Sequence, residues 1–181
     1  HHPDIKGSRI GALEIVIYGG ASTAKETIKQ FKNISHAKLI EGYGMSECVG
    51  IATMSPITTE SKFGSIGIPI SDTDVMVVDP IDGIKVLPPD QKGEIIIRGP
   101  QVIKEYWENP EETAHAIRNG WLYTGDIGYM DDDGFLYLVD RKKDMIIVGG
   151  FNVYPREIDE LLFTHPKIIE ACTIGIPDPR L

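Results

Sequence analysis

Four short segments are rich in glycine or bear acids that could meet a ligand: Tyr18 to Ala21 ("YGGA"), Glu41 to Glu47 ("EGYGMSE"), Tyr123 to Asp126 ("YTGD") and Asp140 to Asp144 ("DRKKD"). Alone, each has a plain alternative, Gly19-Gly20 as a strand terminus and Tyr123 to Asp126 as a tight turn. Together they outline a nucleotide site. Gly42 and Gly44 let backbone approach a ligand closely, and the Ser46 hydroxyl can meet a phosphate oxygen. Glu47 follows directly. Magnesium on a nucleotide is held by one or two carboxylates plus phosphate oxygens, so a single glutamate beside the phosphates suffices. Asp126, an acceptor placed after Gly125, can take both hydroxyls of a ribose. The plain alternatives are a helix-start acid for Glu47 and an Asx turn for Asp126.

The elements that must position these groups are legible as two textures. "LEIVIYGG" (13–20) reads as a buried strand that stops sharply, "STAKETIKQFKN" as a helix capped by Ser22 or Thr23, and "AKLIEGYG" as a second strand. That order predicts an α/β unit with a parallel sheet. From residue 63, "FGSIGIPI", "DVMVVDP", "GEIIIRG" and "GFLYLVD" are short strands separated by Gly, Pro and Asp, predicting an antiparallel β region with "DPIDG" and "DDDG" as turns. Asn109 to Ile117 is a short helix with Pro110 and two acids at its start. Met145 to Gly149, Tyr154 to His165 and Ile169 to Ile176 read as strand, half-buried helix and strand, a βαβ opening. The stretch from about 141 onward therefore reads as the start of a second domain that these residues do not complete, giving divisions at 1–140 and 141–181.

Composition narrows the function. With 41% hydrophobic and 25% charged residues the chain is ordinary globular protein, and a net charge of −9 disfavours a nucleic-acid partner. Cys48 and Cys172 have no disulfide or zinc spacing, so a reducing compartment, the cytoplasm, is expected. No apolar run reaches membrane-spanning length; a peripheral membrane contact and a homodimer stay open. His36, His115 and His165 show no metal-ligand spacing, Cys48 reads as a small buried residue, and Trp107 and Trp121 read as packing residues.

The order and spacing of the four segments resemble the adenylate-forming superfamily of acyl- and aryl-CoA synthetases, luciferases and peptide-synthetase adenylation domains. "EGYGMSE" resembles its adenine- and magnesium-binding motif, and "KGEIIIRGPQVIKEYWENPEET" followed by "GWLYTGD" resembles its next two core motifs. "VDRKKDMIIVGGFNVYPREIDELL" resembles the hinge motif in the form usual for fatty-acyl-CoA ligases. The resemblance implies a fold of α/β plus β type: the later part of a large domain followed by the start of a small α+β domain. It implies a two-step reaction using ATP, magnesium, coenzyme A and a small carboxylic acid. Gly20 and Ala21 would line the acyl-adenylate pocket; Glu41, Gly42, Tyr43, Gly44 and Ser46 would surround adenine and phosphate, with Glu47 on magnesium. Met54 would lie near the acyl or adenylate group, and Asp126 and Arg141 would hold the ribose. Lys143 matches the hinge, Gly149 and Gly150 the segment that meets coenzyme A, and Asn152 a position that contacts the adenylate.

On this reading the charged run at 140–144 is a joint between domains and not a hairpin turn, for which it lacks glycine. Ser46 stands where Thr is frequent, and Ala21 precedes "STAKE" instead of a proline-containing turn. Ile147 stands where aryl-CoA ligases and luciferases carry lysine, which favours the fatty-acyl branch. An aryl-CoA ligase, another carboxylate adenylator and a non-catalytic nucleotide-binding module are the alternatives. The family's phosphate loop and its C-terminal lysine find no match in these residues. The expectation is that the 181 residues alone form no acyl-CoA; thioester production from ATP, CoA and a fatty acid by the isolated chain would refute it.

Overall fold

The computed structural model describes residues 9–20, 25–59 and 62–178. Strand β1 (Ile15–Gly19) pairs in parallel with β2 (Lys38–Tyr43), and α1 (Lys25–Ile34) makes the crossover between them. A parallel pair needs such a crossover, because no tight turn can return the chain to the same end. β3 (Thr53–Met54) and β4 (Ile68–Pro69) extend the sheet antiparallel in the order β1-β2-β3-β4. Ser22 and Thr23, expected as helix caps, lie outside the described residues, as does Ala21. The expectation of a buried β1 fails: it is an edge strand, and Ile17 is 64% exposed because nothing among the described residues covers that face.

The second sheet is antiparallel throughout, as the sequence predicts. β5 (Asp74–Val78) pairs with β6 (Gly93–Arg98), which pairs with the long β8 (Trp121–Met130). On its other side β8 meets β7 (Ile117–Arg118) with its first residues and β9 (Leu136–Arg141) with its last. β6 lies between two neighbours and is buried from Gly93 to Ile97, which suits its run of isoleucines. The fold class is α/β plus β. The loops at Asp79–Gly83 and Asp131–Gly134 turn on side-chain acceptors, Asp79 Oδ1 receiving Ile81 N at 2.8 Å and Asp131 Oδ1 receiving Asp133 N at 3.0 Å. Asn109 caps α2 (Pro110–Ala116) by accepting from Glu112 N at 3.2 Å.

Leu136 joins the two sheets. Its backbone exchanges hydrogen bonds of 2.9 Å with Ile66 N and Gly67 O, and its carbonyl also accepts from Ser65 Oγ at 2.8 Å. Around it Tyr43, Cys48, Ala52 and Ile66 from the first sheet region pack against Val75, Val77, Ile95 and Ile97 of the second.

Beyond β9 the structure corrects the expected βαβ order. A 3-10 turn (Lys142–Asp144) leads into β10 (Ile146–Val148), which returns at once as antiparallel β11 (Phe151–Val153). Gly149 and Gly150 have φ of 57° and 86°, the two consecutive left-handed residues that a tight hairpin requires, so the Gly-Gly pair signals a turn that the sequence reading passed over. α3 (Pro155–Leu162) follows, buried only at Pro155, with Ile158, Leu161 and Leu162 exposed instead of half-buried. Residues 169–176 form no strand: they have no ladder partner among the described residues, and Ile169, Ile174 and Ile176 stand exposed. Trp107, expected as a packing residue, is 86% exposed. No helix among the described residues is long and apolar enough to cross a membrane.

Gly67 locks β4 to β3. Its φ is +89°, and a Cβ there would lie 2.1 Å from the Met54 carbonyl carbon. Gly67→Ala is expected to cost ~2–3 kcal/mol from backbone overlap and strain. Gly64→Ala, at φ +81° with open space around it, is expected to cost only ~1 kcal/mol. Equal urea-unfolding midpoints for the two variants would overturn this packing.

Candidate active site

The end of β2 and a protrusion of β8 carry the central groups. Along β6 and β8, Ile96 faces Tyr123 whereas Glu94 faces Ile127, so Thr124, Gly125 and Asp126 together oppose the single residue Ile95. This bulge is held by its own polar groups. Thr124 Oγ1 donates to Ile95 O at 2.7 Å and accepts from Asp126 N at 3.1 Å. Gly125, at φ +69°, donates its N–H to Glu94 Oε1 at 3.1 Å. Bulges commonly re-aim a side chain out of its ladder, and here the residue re-aimed is Asp126.

Asp126 is only 3% exposed. Tyr43 Oη donates to its Oδ2 at 2.7 Å. Arg141 is the cross-strand partner of Asp126 on β9, and its Nε lies 2.9 Å from Oδ1. That distance makes an ion pair, yet the N–H is not aimed at the oxygen, and Oδ1 is left buried with no hydrogen-bond donor. The Arg141 side chain is 62% exposed, free to meet a ligand from solvent. Burial raises the Asp126 carboxyl above its ordinary range; the Tyr43 hydrogen bond and the Arg141 charge oppose the shift, and the Glu94 charge adds to it. Burial beside that carboxylate also pushes the Tyr43 phenol well above its usual range, so it remains a proton donor.

Glu41 faces Tyr18 across the parallel pair, and Tyr18 Oη donates to Glu41 Oε2 at 2.8 Å. Burial raises the Glu41 carboxyl, with the Tyr18 hydrogen bond and the Arg156 charge acting the other way. Met54 sits next to Gly42 in the β2–β3 ladder. After β2, residues Ser46–Cys48 form a 3-10 turn, closed by Val49 N on Ser46 O at 3.1 Å. Glu47 Oε1 accepts from Tyr106 Oη at 2.8 Å, and burial followed by this bond pushes the Tyr106 phenol up to about 12. Gly44 serves its own loop: a Cβ there would come within 2.6 Å of Gly50 O. Cys48 is fully buried in this turn, as expected of a small core residue. Among the described residues no group of three or more His, Cys, Asp or Glu could cage a metal.

Tyr43, Asp126 and Arg141 thus come together, with Glu41, Gly42 and Met54 on the adjoining strands and Ser46 and Glu47 on the turn after β2. Gly20 directly follows the last residue of β1, with φ +77° and open space around it. The remaining candidates make no hydrogen bond or ion pair with this group among the described residues. Lys143 is exposed in its 3-10 turn, Gly149 and Gly150 form the exposed tip of the β10–β11 hairpin, and Asn152 lies exposed on β11. Sequence reasoning missed Tyr18, Glu94, Tyr106 and Lys142. Of these only Glu94 left a signal, an acid inside the otherwise apolar "GEIIIR" strand.

This chain matches the family model described as "AMP-binding enzyme" over residues 1–107. It is 44% identical over 178 residues to a long-chain-fatty-acid–CoA ligase of Bacillus subtilis, covering 98% of this chain and 32% of that protein. It is 38% identical over 180 residues to a feruloyl-CoA synthase of Amycolatopsis, covering 99% of this chain and 36% of the relative. The chain therefore spans about a third of the length of these relatives. Its fold superposes on ATP-bound MatB from Rhodopseudomonas palustris with a TM-score of 0.84 at 34% identity, covering 92% of this chain and 33% of that one. The motif order, the paired sheets and these likenesses agree, and the chain belongs to the AMP-binding enzyme family.

Proposed function

We propose that the chain is part of an ATP-dependent acid–CoA ligase, with a fatty acid as substrate. The observation that carries this reading is Asp126: a buried carboxylate with one oxygen locked by Tyr43 and the other unmatched beside an exposed arginine. Two adjacent ribose hydroxyls would supply the missing donors, with Arg141 closing over the sugar. The relatives' names support the reaction class. The higher identity to the long-chain ligase, 44% against 38% for the feruloyl-CoA synthase, supports a fatty acid over an aryl acid.

In this reading the substrate carboxylate attacks the α-phosphorus of ATP, the bond to the β-phosphate oxygen breaks, and pyrophosphate leaves. The sulfur of coenzyme A then attacks the acyl carbon and AMP departs, its leaving oxygen carrying the electron pair. This chain's share is positioning and charge. Asp126 and Arg141 hold the ribose, Tyr43 fixes Asp126, and the β2 end with Gly42, Gly44 and Ser46 lies along the adenine and phosphate. The Glu47 carboxylate, on a turn and accepting from one phenol among the described residues, fits a magnesium ion that is otherwise bound by phosphate oxygens. Such an ion would neutralise charge on the phosphates. Gly20, Ala21 and Met54 would border the acyl group. Lys143 would be the swivel between residues 1–140 and the part beginning at 141, bringing Gly149, Gly150 and Asn152 to the site in one of two orientations.

The full-length protein is expected to catalyse ATP–pyrophosphate exchange dependent on long-chain fatty acids across a panel of fatty and aromatic acids. Exchange with aromatic acids alone would select the aryl-CoA reading, and exchange with none would sink the proposal. Asp126 must be ionised to accept from the hydroxyls, and burial raises its pKa. AMP affinity should therefore fall on acidification at a higher pH than an ordinary carboxylate would give. Asp126→Asn should weaken AMP at neutral pH roughly 10- to 100-fold and flatten that pH dependence. Calorimetric titrations of both proteins across pH check this; parallel profiles would remove Asp126 from the ribose site.

A further inference from the structure

Glu94 has no place in the reading above, yet its carboxylate is the other buried anion of this region. It lies on β6 among isoleucines and is 3% exposed. Burying a carboxylate in such a strand is costly, and an apolar side chain of similar size would ordinarily serve stability as well. Its two oxygens are divided between two distant segments. Oε1 accepts from Gly125 N at 3.1 Å, one residue before Asp126, and Oε2 accepts from Lys142 Nζ at 2.7 Å, one residue after Arg141. Asp126 and Arg141 are themselves register partners across β8 and β9. The same carboxylate therefore grips the bulge that aims the aspartate and the chain that follows the arginine.

We propose that Glu94 is a positioning residue that sets the spacing of the Asp126–Arg141 pair by holding both sides of it at once, with Lys142 as its cation. The inference rests on the nucleotide reading of that pair. Glu94 touches no ligand: it acts through the Gly125 amide and the Lys142 ammonium. The lysine gains a second task from its location, anchoring the last residue before Lys143 to the body of the molecule. Whatever swings about Lys143, the arginine side of the clamp stays with β6. Replacing the carboxylate by an amide keeps an acceptor for Gly125 and removes the charge that Lys142 needs.

The test is AMP affinity of the full-length protein, by calorimetry, for Glu94→Gln, Lys142→Met, Lys142→Arg and the Glu94→Gln/Lys142→Met pair, with urea unfolding run in parallel. Loss of a charge-assisted bond that fixes the clamp should weaken AMP about tenfold in Glu94→Gln and to a similar degree in Lys142→Met. The double variant should bind no more weakly than Glu94→Gln alone, since both changes break one link. Lys142→Arg should stay within about twofold of wild type, because a guanidinium can still donate to Glu94. Should Glu94→Gln not fold, the contrast between Lys142→Met and Lys142→Arg decides: weakened against retained affinity supports the tether. Wild-type affinity in Glu94→Gln or Lys142→Met, even with lowered stability, or losses that simply multiply in the pair, would overturn it. A wild-type protein that binds no AMP would bring down the nucleotide reading and this inference together, an outcome distinct from binding that the variants leave untouched.

Discussion

The hydrogen bond from Tyr43 to Asp126 spans 83 residues and ties the last residue of β2, in the mixed first sheet, to the middle of β8 in the antiparallel one. A phenol buried against an ionised carboxylate is a short, directional link, and it leaves little freedom to either side chain. It also fixes which carboxylate oxygen is left without a hydrogen bond. Other polar features of the region surround it: Glu41 two residues back on β2 and Tyr18 on the adjacent β1, Glu47 on the turn after β2, Arg141 across the β8–β9 ladder. The apolar core centred on Leu136 and Ile95 sets the distance between sheets, but it has no direction of its own. The phenol–carboxylate contact supplies that direction.

The β8 bulge is the local departure that makes the arrangement work. A regular strand would place Asp126 in strict alternation with its neighbours. Three residues opposite one break that alternation locally, and the Thr124 hydroxyl and the Glu94 carboxylate, which accepts from Gly125 N, stabilise the altered backbone. The site thus occupies the least regular part of the most buried sheet, where local irregularity is offset by surrounding order.

Much of this was legible in the residues. The switch from α/β to short strands near residue 63, the proline-started helix at 110 and the aspartate turns all follow local rules, and appear as expected. What was illegible depended on distant partners. The "YTGD" stretch is strand, because β6, β7 and β9 all pair with β8, and no local pattern announces a strand shared in that way. Among the described residues, "LEIVIYGG" has the composition of a buried strand but occupies an edge, and "IIEACTIGIP" has strand composition without a ladder partner. The Gly149-Gly150 turn was the exception, a local signal outweighed by a fold-level expectation. In the site, types and order named Asp126, Arg141 and Glu47, while Tyr18, Tyr106 and Lys142 became visible only when chain-distant side chains met.

Asp140 accepts from its neighbour Arg141 N with one oxygen, at 2.7 Å, and from Arg156 N in the first turn of α3 with the other, at 2.9 Å. The residue that precedes α3, Tyr154, offers that helix no side-chain cap, so a strand of the preceding sheet provides it. Swinging the terminal portion about Lys143 would carry the helix away from this acceptor and expose an amide that then needs water or a new partner. The orientation seen here is therefore favoured by a borrowed helix cap.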